Sequence, residues 1–228
     1  MKRIKPALYL MAVLLLISFM ACNRETVHHA PIFPLEKGNY WNYSGQFNDQ
    51  TVNMRMEVKQ VLKRDNLTFA LMTGFPTDVM EGVDWEASVW GMLDVGSEHY
   101  YKVSGARIDT IARSLSEKDA VQSGLVTDSD LFIETLSDTG QTYGETAQLT
   151  RNDGNYFWRV GEKTAYDPSS IRGLKLTGPF DRFILSYKTV ADETILDVVP
   201  GIGIVRYRYS HHGTPAVLDI NLVEVRIQ

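Results

Sequence analysis

The sequence has few of the residues on which catalysis, metal binding and phosphate recognition usually depend. One cysteine and five histidines occur in 228 residues, and 23 basic residues are outnumbered by 28 acidic ones. The single cysteine excludes a fold stapled by internal disulfides, because the chain has no second thiol to pair with it. The net charge of −5 argues against a nucleic-acid partner, since phosphate contacts need a basic surface.

Motifs of the common enzyme classes are also missing. The sequence contains no G-x-S-x-G nucleophile elbow, no H-E-x-x-H zinc motif and no phosphate-binding P-loop. The adjacent pairs His28-His29 and His211-His212 supply too few convergent ligands for a metal site. The acidic segment 128–130 lacks the glycine and the third Asp of a calcium loop. We therefore predict no enzyme activity, no catalytic residue, no bound metal and no cofactor.

The first 21 residues have the layout of a secretory signal. Lys2, Arg3 and Lys5 precede an apolar run over residues 7–21 that is broken only by Ser18. This run is shorter than the about 20 residues that a membrane-crossing helix needs. A cationic start, a short apolar run and small residues at its end are typical of a signal peptide.

The lone cysteine follows this run directly, in the sequence Phe19-Met20-Ala21-Cys22. It resembles the lipobox of bacterial lipoproteins, in which a small residue precedes a cysteine that is lipidated and becomes the mature N-terminus. Ala21 fits the position before the cysteine, whereas Phe19 stands where Leu is usual. The resemblance implies cleavage between Ala21 and Cys22 and attachment of acyl chains such as palmitate at Cys22. Two or three acyl chains give stable membrane attachment, which one chain does not.

The charge and the residue after the cysteine bear on where such a lipoprotein resides. Removing the three basic residues of the leader leaves 20 Lys and Arg against 28 Asp and Glu, a formal charge of −8. An anionic leaflet repels a body this acidic, so the lipid and not a basic patch holds the protein. Asn23 replaces the Asp of the inner-membrane retention signal known in enteric lipoproteins. We expect residence in the bacterial envelope, at the outer membrane facing the periplasm.

The sequence divides into a predicted signal peptide (1–21), a lipidated polar tether (22–32) and one β-rich domain (33–228). Alternation of apolar and polar residues dominates the domain, as over 52–58 and 205–209, and predicts half-buried strands. Residues 148–160 have the pattern of a hairpin that turns at 152–155. Ala216 to Ile227 predicts a last strand with a bulge at Leu222-Val223.

Helix signals are few. Ser116 begins a capped segment that extends to about Ser123, and residues 77–92 have helical spacing weakened by two glycines. We predict a mainly β fold with one or two short helices. Its antiparallel sheet must curl or close, because a long sheet with open edges pairs with other chains.

Two segments resemble those of uncharacterised bacterial envelope lipoproteins. The segment 33–43 (FPLEKGNYWNY) is similar to their "FPL..GN.W.Y" opening, and 199–205 (VPGIGIV) is similar to their "PGIGIV" element. The resemblance implies a curved antiparallel sheet like the half-barrels of lipoprotein-localisation factors. Such folds often cradle acyl chains, although a fold by itself does not fix a function.

The four tryptophans, Trp41, Trp85, Trp90 and Trp158, are candidate ligand-contacting side chains, with core packing as the alternative interpretation. The first functional hypothesis is a membrane-anchored binding protein that holds an apolar ligand or acyl chain in its curved sheet. The alternative is a structural or interaction lipoprotein that docks on an envelope protein complex or a polysaccharide. A third hypothesis is a hydrolase with a carboxylate pair formed by Asp181 and the segment 192–193.

Overall fold

The computed structural model describes residues 31–117, 124–134, 138–176 and 178–228. The predicted signal peptide, the cleavage site and Cys22 lie outside these ranges. Residues 118–123, most of the helix predicted from Ser116 to about Ser123, also lie outside them. None of the helices within the described ranges has the length and apolar character needed to cross a membrane.

One antiparallel sheet contains all the strands of the described residues. The strands are β1 (Tyr40–Phe47), β2 (Gln50–Arg64), β3 (Leu67–Thr73), β4 (Val89–Val95), β5 (His99–Val103), β6 (Leu131–Glu134), β7 (Thr142–Tyr143), β8 (Trp158–Tyr166), β9 (Phe180–Lys188), β10 (Asp192–Val199), β11 (Gly203–His211) and β12 (Val217–Arg226). Two short helices accompany them: α1 (Asp78–Glu81) between β3 and β4, and α2 (Ala106–Ser116) between β5 and β6.

The strand order makes the sheet nearly close on itself. It runs β6-β5-β4-β3-β2-β1-β12-β11-β10-β9-β8-β7, so the first and last strands pair in the middle and β6 and β7 are the edges. The Tyr143 hydroxyl in β7 donates to the Phe132 carbonyl in β6 at 3.2 Å. Among the described residues no strand pairing joins these two edges. We call the line along which they face each other the seam, and the whole sheet is barrel-like.

Side chains from nearly every strand fill the interior of this barrel-like sheet. Alternation places one side of each strand inward, as for Met54, Met56 and Val58 in β2. Outside the sheet, Ile111 and Leu115 of α2 join a smaller apolar cluster. The fully buried interior residues include Trp41, Tyr43, Met56, Met72, Met92, Tyr100 and Leu185.

The two segments that resemble envelope lipoproteins meet in the structure. The Phe33 ring packs edge-on against Trp41 at 6.2 Å between centroids, and the Trp41 Nε1–H donates to the Ile202 carbonyl at 2.6 Å. A Cβ on Gly203 would lie 2.7 Å from the Phe33 ring, so only glycine fits there. Ile32, the last residue of the predicted tether, is itself buried. The contacts between these two segments are therefore internal packing at one place in the fold.

The strand predictions drawn from alternation are confirmed for β2, β11 and β12. The predicted bulge is also present, because the β1–β12 register shifts between Asn42 and Tyr43 and leaves Val223 without a partner in β1. The predicted fold class is confirmed: the fold is mainly β, with an antiparallel sheet and two short helices.

Two predictions of secondary structure are wrong. Residues 148–151 form turns with i→i+3 hydrogen bonds, such as Arg151 N–H to the Gln148 carbonyl, and the ladder partners of Trp158 are Tyr143 and Tyr187. The predicted helix over 77–92 stops after Glu81, because Gly82 adopts a left-handed conformation with φ of 67°. Helix α2 lies before the segment for which the sequence predicts one.

Asp94 gives a pH-dependent prediction for the stability of this fold. It is buried opposite Tyr100 in the β4–β5 hairpin, and burial raises its pKa from 3.8 to about 6 although it accepts a hydrogen bond from Ser97. Its stabilising contribution is therefore present at low pH and is lost as the pH rises through about 6. We expect Asp94→Asn to raise the free energy of unfolding by roughly 1–3 kcal/mol at neutral pH, because Asn has no charge to bury.

Urea unfolding on either side of the Asp94 pKa checks this expectation. The gain should vanish below about pH 4, where the wild-type carboxyl is already neutral. Asp84→Asn is the matched control, since exposed Asp84 also accepts a backbone N–H, from Glu86, without burial. An equal gain for both variants, or an Asp94→Asn gain at both pH values, would show that burial of the charge is not the cause.

Candidate functional site

A cleft of about 260 Å³ opens along the seam. It exists because the two edge strands are very short, β6 with four residues and β7 with two, so the gap between them is only partly covered. The residues that line the cleft come from β5, the segment before and within β6, the loop after β7, and β8 and β9: Lys102, Asp128, Ser129, Asp130, Leu131, Phe132, Gly144, Glu145, Gln148, Tyr156, Trp158 and Tyr187.

Aromatic rings lie along this cleft: Phe132, Trp158 and Tyr187 line it, and the buried Tyr143 packs behind Trp158. Tyr143, Trp158 and Tyr187 lie directly opposite one another on β7, β8 and β9, so cross-strand pairing sets them side by side. The Trp158 ring stacks on Tyr143 at 6.2 Å and lies 5.2 Å from Tyr187. Phe132 from the other edge meets Trp158 edge-on at 5.8 Å. We call these four rings the aromatic wall.

Polar groups surround the opening of the cleft. The Asp128 carboxylate accepts a hydrogen bond from the Thr146 hydroxyl at 2.8 Å. Asp130 is held by an ion pair with Arg107; although burial raises the pKa of Asp130, the hydrogen bonds from Arg107 and Thr127 lower it below its usual range. Glu145 is exposed at the same opening. The opening thus offers carboxylate acceptors to a ligand.

Among the described residues that line the cleft, Lys102 is the only lysine, and it lies inside. Alternation along β5 turns it to the same side as the buried Tyr100. Its Nζ is 3.2 Å from the centroid of the Phe75 ring, a cation–π contact. Burial lowers the pKa of Lys102 to about 8, and Asp78 and Glu81 in α1 oppose that shift. A polar ammonium therefore stands beside the aromatic wall.

The structure places the four candidate tryptophans in different surroundings. Trp158 belongs to the aromatic wall. Trp90 is connected to it through Phe75 and Phe132, whose rings are in edge contact, and its indole N–H donates to the Gly74 carbonyl. Trp41 is fully buried, with its indole N–H bonded to a backbone carbonyl.

The fourth tryptophan, Trp85, is half-buried in the loop before β4, and the Arg55 guanidinium lies 5.8 Å from its ring. The four rings therefore do not form one surface. Ligand contact by any of them stays a prediction, and Trp158 is the one that lines the cleft.

The carboxylates considered for a hydrolase are separated in the structure. Asp181 near the start of β9 pairs with Lys163, whereas Asp192 at the start of β10 binds Tyr209 and His211. These positions are at opposite ends of the β9–β10 hairpin, roughly 20 Å apart at the usual rise per residue. Within the described ranges, no group of three His, Cys, Asp or Glu residues is placed to hold a metal ion.

Sequence reasoning missed most of the cleft. Lys102, Gln148 and Tyr187 carry no motif, and they come together only when the two edges of the sheet approach. One signal in the sequence points to Lys102. Side chains two residues apart lie on the same side of a strand, so Lys102 faces inward like Tyr100. The acidic segment 128–130 partly resembles a calcium loop in sequence, but the sequence does not indicate that it lies beside the cleft.

Comparison with known proteins finds similar solved structures but no matching family. No protein-family model matches the chain, and no curated protein matches it significantly. Solved structures similar to it include a protein described as exported, with a YmcC-like fold, from Bacteroides fragilis. That pair shares 10% identity over 86% of this chain and 99% of the other, with a TM-score of 0.40. A protein described as a lipoprotein, from Parabacteroides distasonis, shares 12% identity over 87% and 99%, with a TM-score of 0.41.

Proposed function

We propose that the chain is a lipid-anchored lipoprotein of the bacterial envelope that acts by binding and not by catalysis, with the seam cleft as its ligand site. The observation that carries the proposal is the cleft itself, which combines an aromatic wall with carboxylate, amide and ammonium groups. A concave site with aromatic faces and a few convergent polar groups is the usual form of a small-molecule site.

The anchor is inferred from the sequence, and a described, hydrogen-bonded residue lies close to it in the chain. Only nine residues separate Cys22 from Ile32, whose backbone N–H donates to the Tyr100 hydroxyl at 2.9 Å. Nine extended residues span at most roughly 30 Å. Acylation at Cys22 would therefore hold the part of the domain around Ile32 close to the membrane surface. Asn23, in place of a retention Asp, favours the outer membrane.

A glycan is the ligand class that the cleft chemistry favours. The apolar face of a sugar ring packs on rings such as Trp158 and Tyr187, and sugar hydroxyls bond to carboxylate and amide groups such as those of Asp128 and Gln148. A volume of about 260 Å³ suits one or two sugar rings and not an extended polymer. The proposal thus develops the polysaccharide alternative raised by the sequence.

The other hypothesis, an acyl chain within the curved sheet, requires apolar space inside. Buried side chains such as Met56, Met72 and Met92 occupy the interior, and the seam cleft is lined by charged and amide groups. These observations favour a polar ligand. Acyl-chain binding and docking on an envelope protein remain predictions that the experiment below distinguishes.

Binding of envelope glycans to the full chain tests the proposal. We expect titration calorimetry in detergent to detect binding of short envelope polysaccharide fragments. Tyr187→Ala should weaken it about ten-fold, because half-buried Tyr187 loses a stacking face. The matched control is Tyr166→Ala at the far end of β8, also half-buried but away from the cleft.

Three results would count against the proposal. One is a protein that binds no fragment of an envelope glycan panel. Another is equal weakening by both tyrosine variants, which would place the site elsewhere. The third is stoichiometric acyl lipid, beyond the covalent anchor, in native mass spectra of the purified chain, since that would favour the apolar-ligand hypothesis.

A further inference from the structure

We infer that Lys102 makes the seam cleft selective for an acidic sugar, one whose carboxylate or phosphate contacts the Lys102 ammonium. The inference rests on the proposed function, because it names the ligand chemistry of that same cleft. Lys102 matches no sequence motif, and a neutral glycan would not need its charge.

The surroundings of Lys102 leave its charge incompletely satisfied. Its Nζ contacts the face of Phe75 at 3.2 Å, and within the described part of the chain the ammonium makes no hydrogen bond or ion pair. Lys102 is half-buried and lines the cleft, so its ammonium has lost part of its water shell and still faces the ligand space. A cation–π contact compensates only part of that loss, and an anion entering the cleft would supply a charged partner.

The neighbouring carboxylates do not serve as that partner. Asp78 in α1 is buried, and its carboxylate accepts the Phe75 backbone N–H at 2.6 Å. Asp130 is already paired with Arg107. Asp78 and Glu81 act on Lys102 through space, without an ion pair to it.

The distribution of charge also gives the ligand an orientation. Lys102 lies inside the cleft, whereas Asp128 and Glu145 lie at the opening. An anionic group at the opening would be repelled by both carboxylates, and the same group inside would meet the ammonium. Hydroxyls of the sugar would then point outward, where the two carboxylates accept their hydrogen bonds.

This arrangement predicts that binding depends on pH. The titratable and charged groups around Lys102 are otherwise carboxylates, phenols and one guanidinium: Asp78, Glu81, Asp128, Asp130, Glu145, Tyr156, Tyr187 and Arg107. Burial lowers the pKa of Lys102 to about 8, so the ammonium loses its proton as the pH rises above that value. Affinity for an acidic sugar should be full below about pH 7 and should fall above the Lys102 pKa, with proton uptake on binding near pH 8.

The experiment compares three sugars that differ at one position: methyl glucoside, methyl glucuronide and methyl glucoside 6-phosphate. Each is titrated into the full chain in detergent, between about pH 6.5 and 9.5. We expect the glucuronide or the phosphate to bind at least about ten-fold more tightly than the neutral glucoside near neutral pH. Lys102→Met should remove that preference and its pH dependence while binding of the neutral sugar persists. Lys37→Met, at an exposed lysine, should change neither.

The results separate this inference from the proposed function. Equal binding of all three sugars by wild type, or an acid preference that survives in Lys102→Met, overturns the role of Lys102 and leaves the glycan site standing. A wild-type chain that binds none of the three and no envelope glycan overturns both. The wild-type pH profile decides the matter even if the variant fails to fold, because affinity that does not fall above pH 8 contradicts the inference.

Discussion

Replacing Gly45 with alanine is expected to lower the free energy of unfolding by more than about 4 kcal/mol. Gly45 lies in the middle of β1, and a Cβ there would be 2.0 Å from the Asp219 carbonyl oxygen and 2.7 Å from the Ile220 Cα, both in β12. Both atoms belong to backbone, so no side-chain rotation relieves the overlap. The substitution would force apart β1 and β12, the pairing that joins the first strand to the last.

Urea unfolding followed by tryptophan fluorescence measures this loss. Gly213→Ala is the control, because Gly213 lies in an exposed turn and the nearest atom to its added Cβ is the side-chain Nε2 of His211 at 3.0 Å, not a backbone atom. We expect that control to change stability by no more than about 1 kcal/mol. A Gly45→Ala protein as stable as wild type would mean that β1 and β12 do not approach as closely as described.

Trp41→Ala is expected to cost about 3–5 kcal/mol of folding free energy. Trp41 is fully buried between the Phe33 ring and the segment that contains Ile202, and its removal leaves a cavity where the two lipoprotein-like segments meet. It also leaves the Ile202 carbonyl without its 2.6 Å hydrogen bond. Chemical denaturation of the variant gives the value directly.

Two further variants separate packing from hydrogen bonding. Trp41→Phe keeps most of the buried area but loses the indole donor, so a cost of about 1–3 kcal/mol is expected. Trp85→Ala removes a half-buried ring from a loop and should cost about 1 kcal/mol or less. If Trp41→Ala were no worse than Trp85→Ala, the packing of the two segments would not be the interaction described here.

Local alternation of residues predicts the long strands, because apolar inward-facing residues alternate with polar outward-facing residues along a half-buried strand. Strand β2 is an example, with Met54, Met56 and Val58 buried between half-buried neighbours. The two-residue strand β7 is too short to show alternation, and its position depends on Tyr143 pairing with Trp158. The predicted hairpin over 148–160 is wrong for that reason, because the strand that precedes β8 in its ladder is β7, which lies before residue 148.

The candidate site was less predictable, because it is assembled from both edges of the sheet. Trp158 was singled out by its size, yet size alone also singled out Trp41, which lies in the core. Nothing local distinguishes the two. Lys102 and Tyr187 are 85 residues apart, and only closure of the sheet places them in one cleft.

The most direct test of the seam cleft as a ligand site uses the four tryptophan indole N–H signals. They are assigned in the two-dimensional NMR spectrum by single Trp→Phe variants and followed while an acidic sugar is added. We expect the Trp158 signal to shift with saturation, and the Trp41 signal, bonded inside the core, to stay in place. Shifts confined to Trp41 or Trp85, or an unmoved Trp158 signal at saturating sugar, would contradict the account.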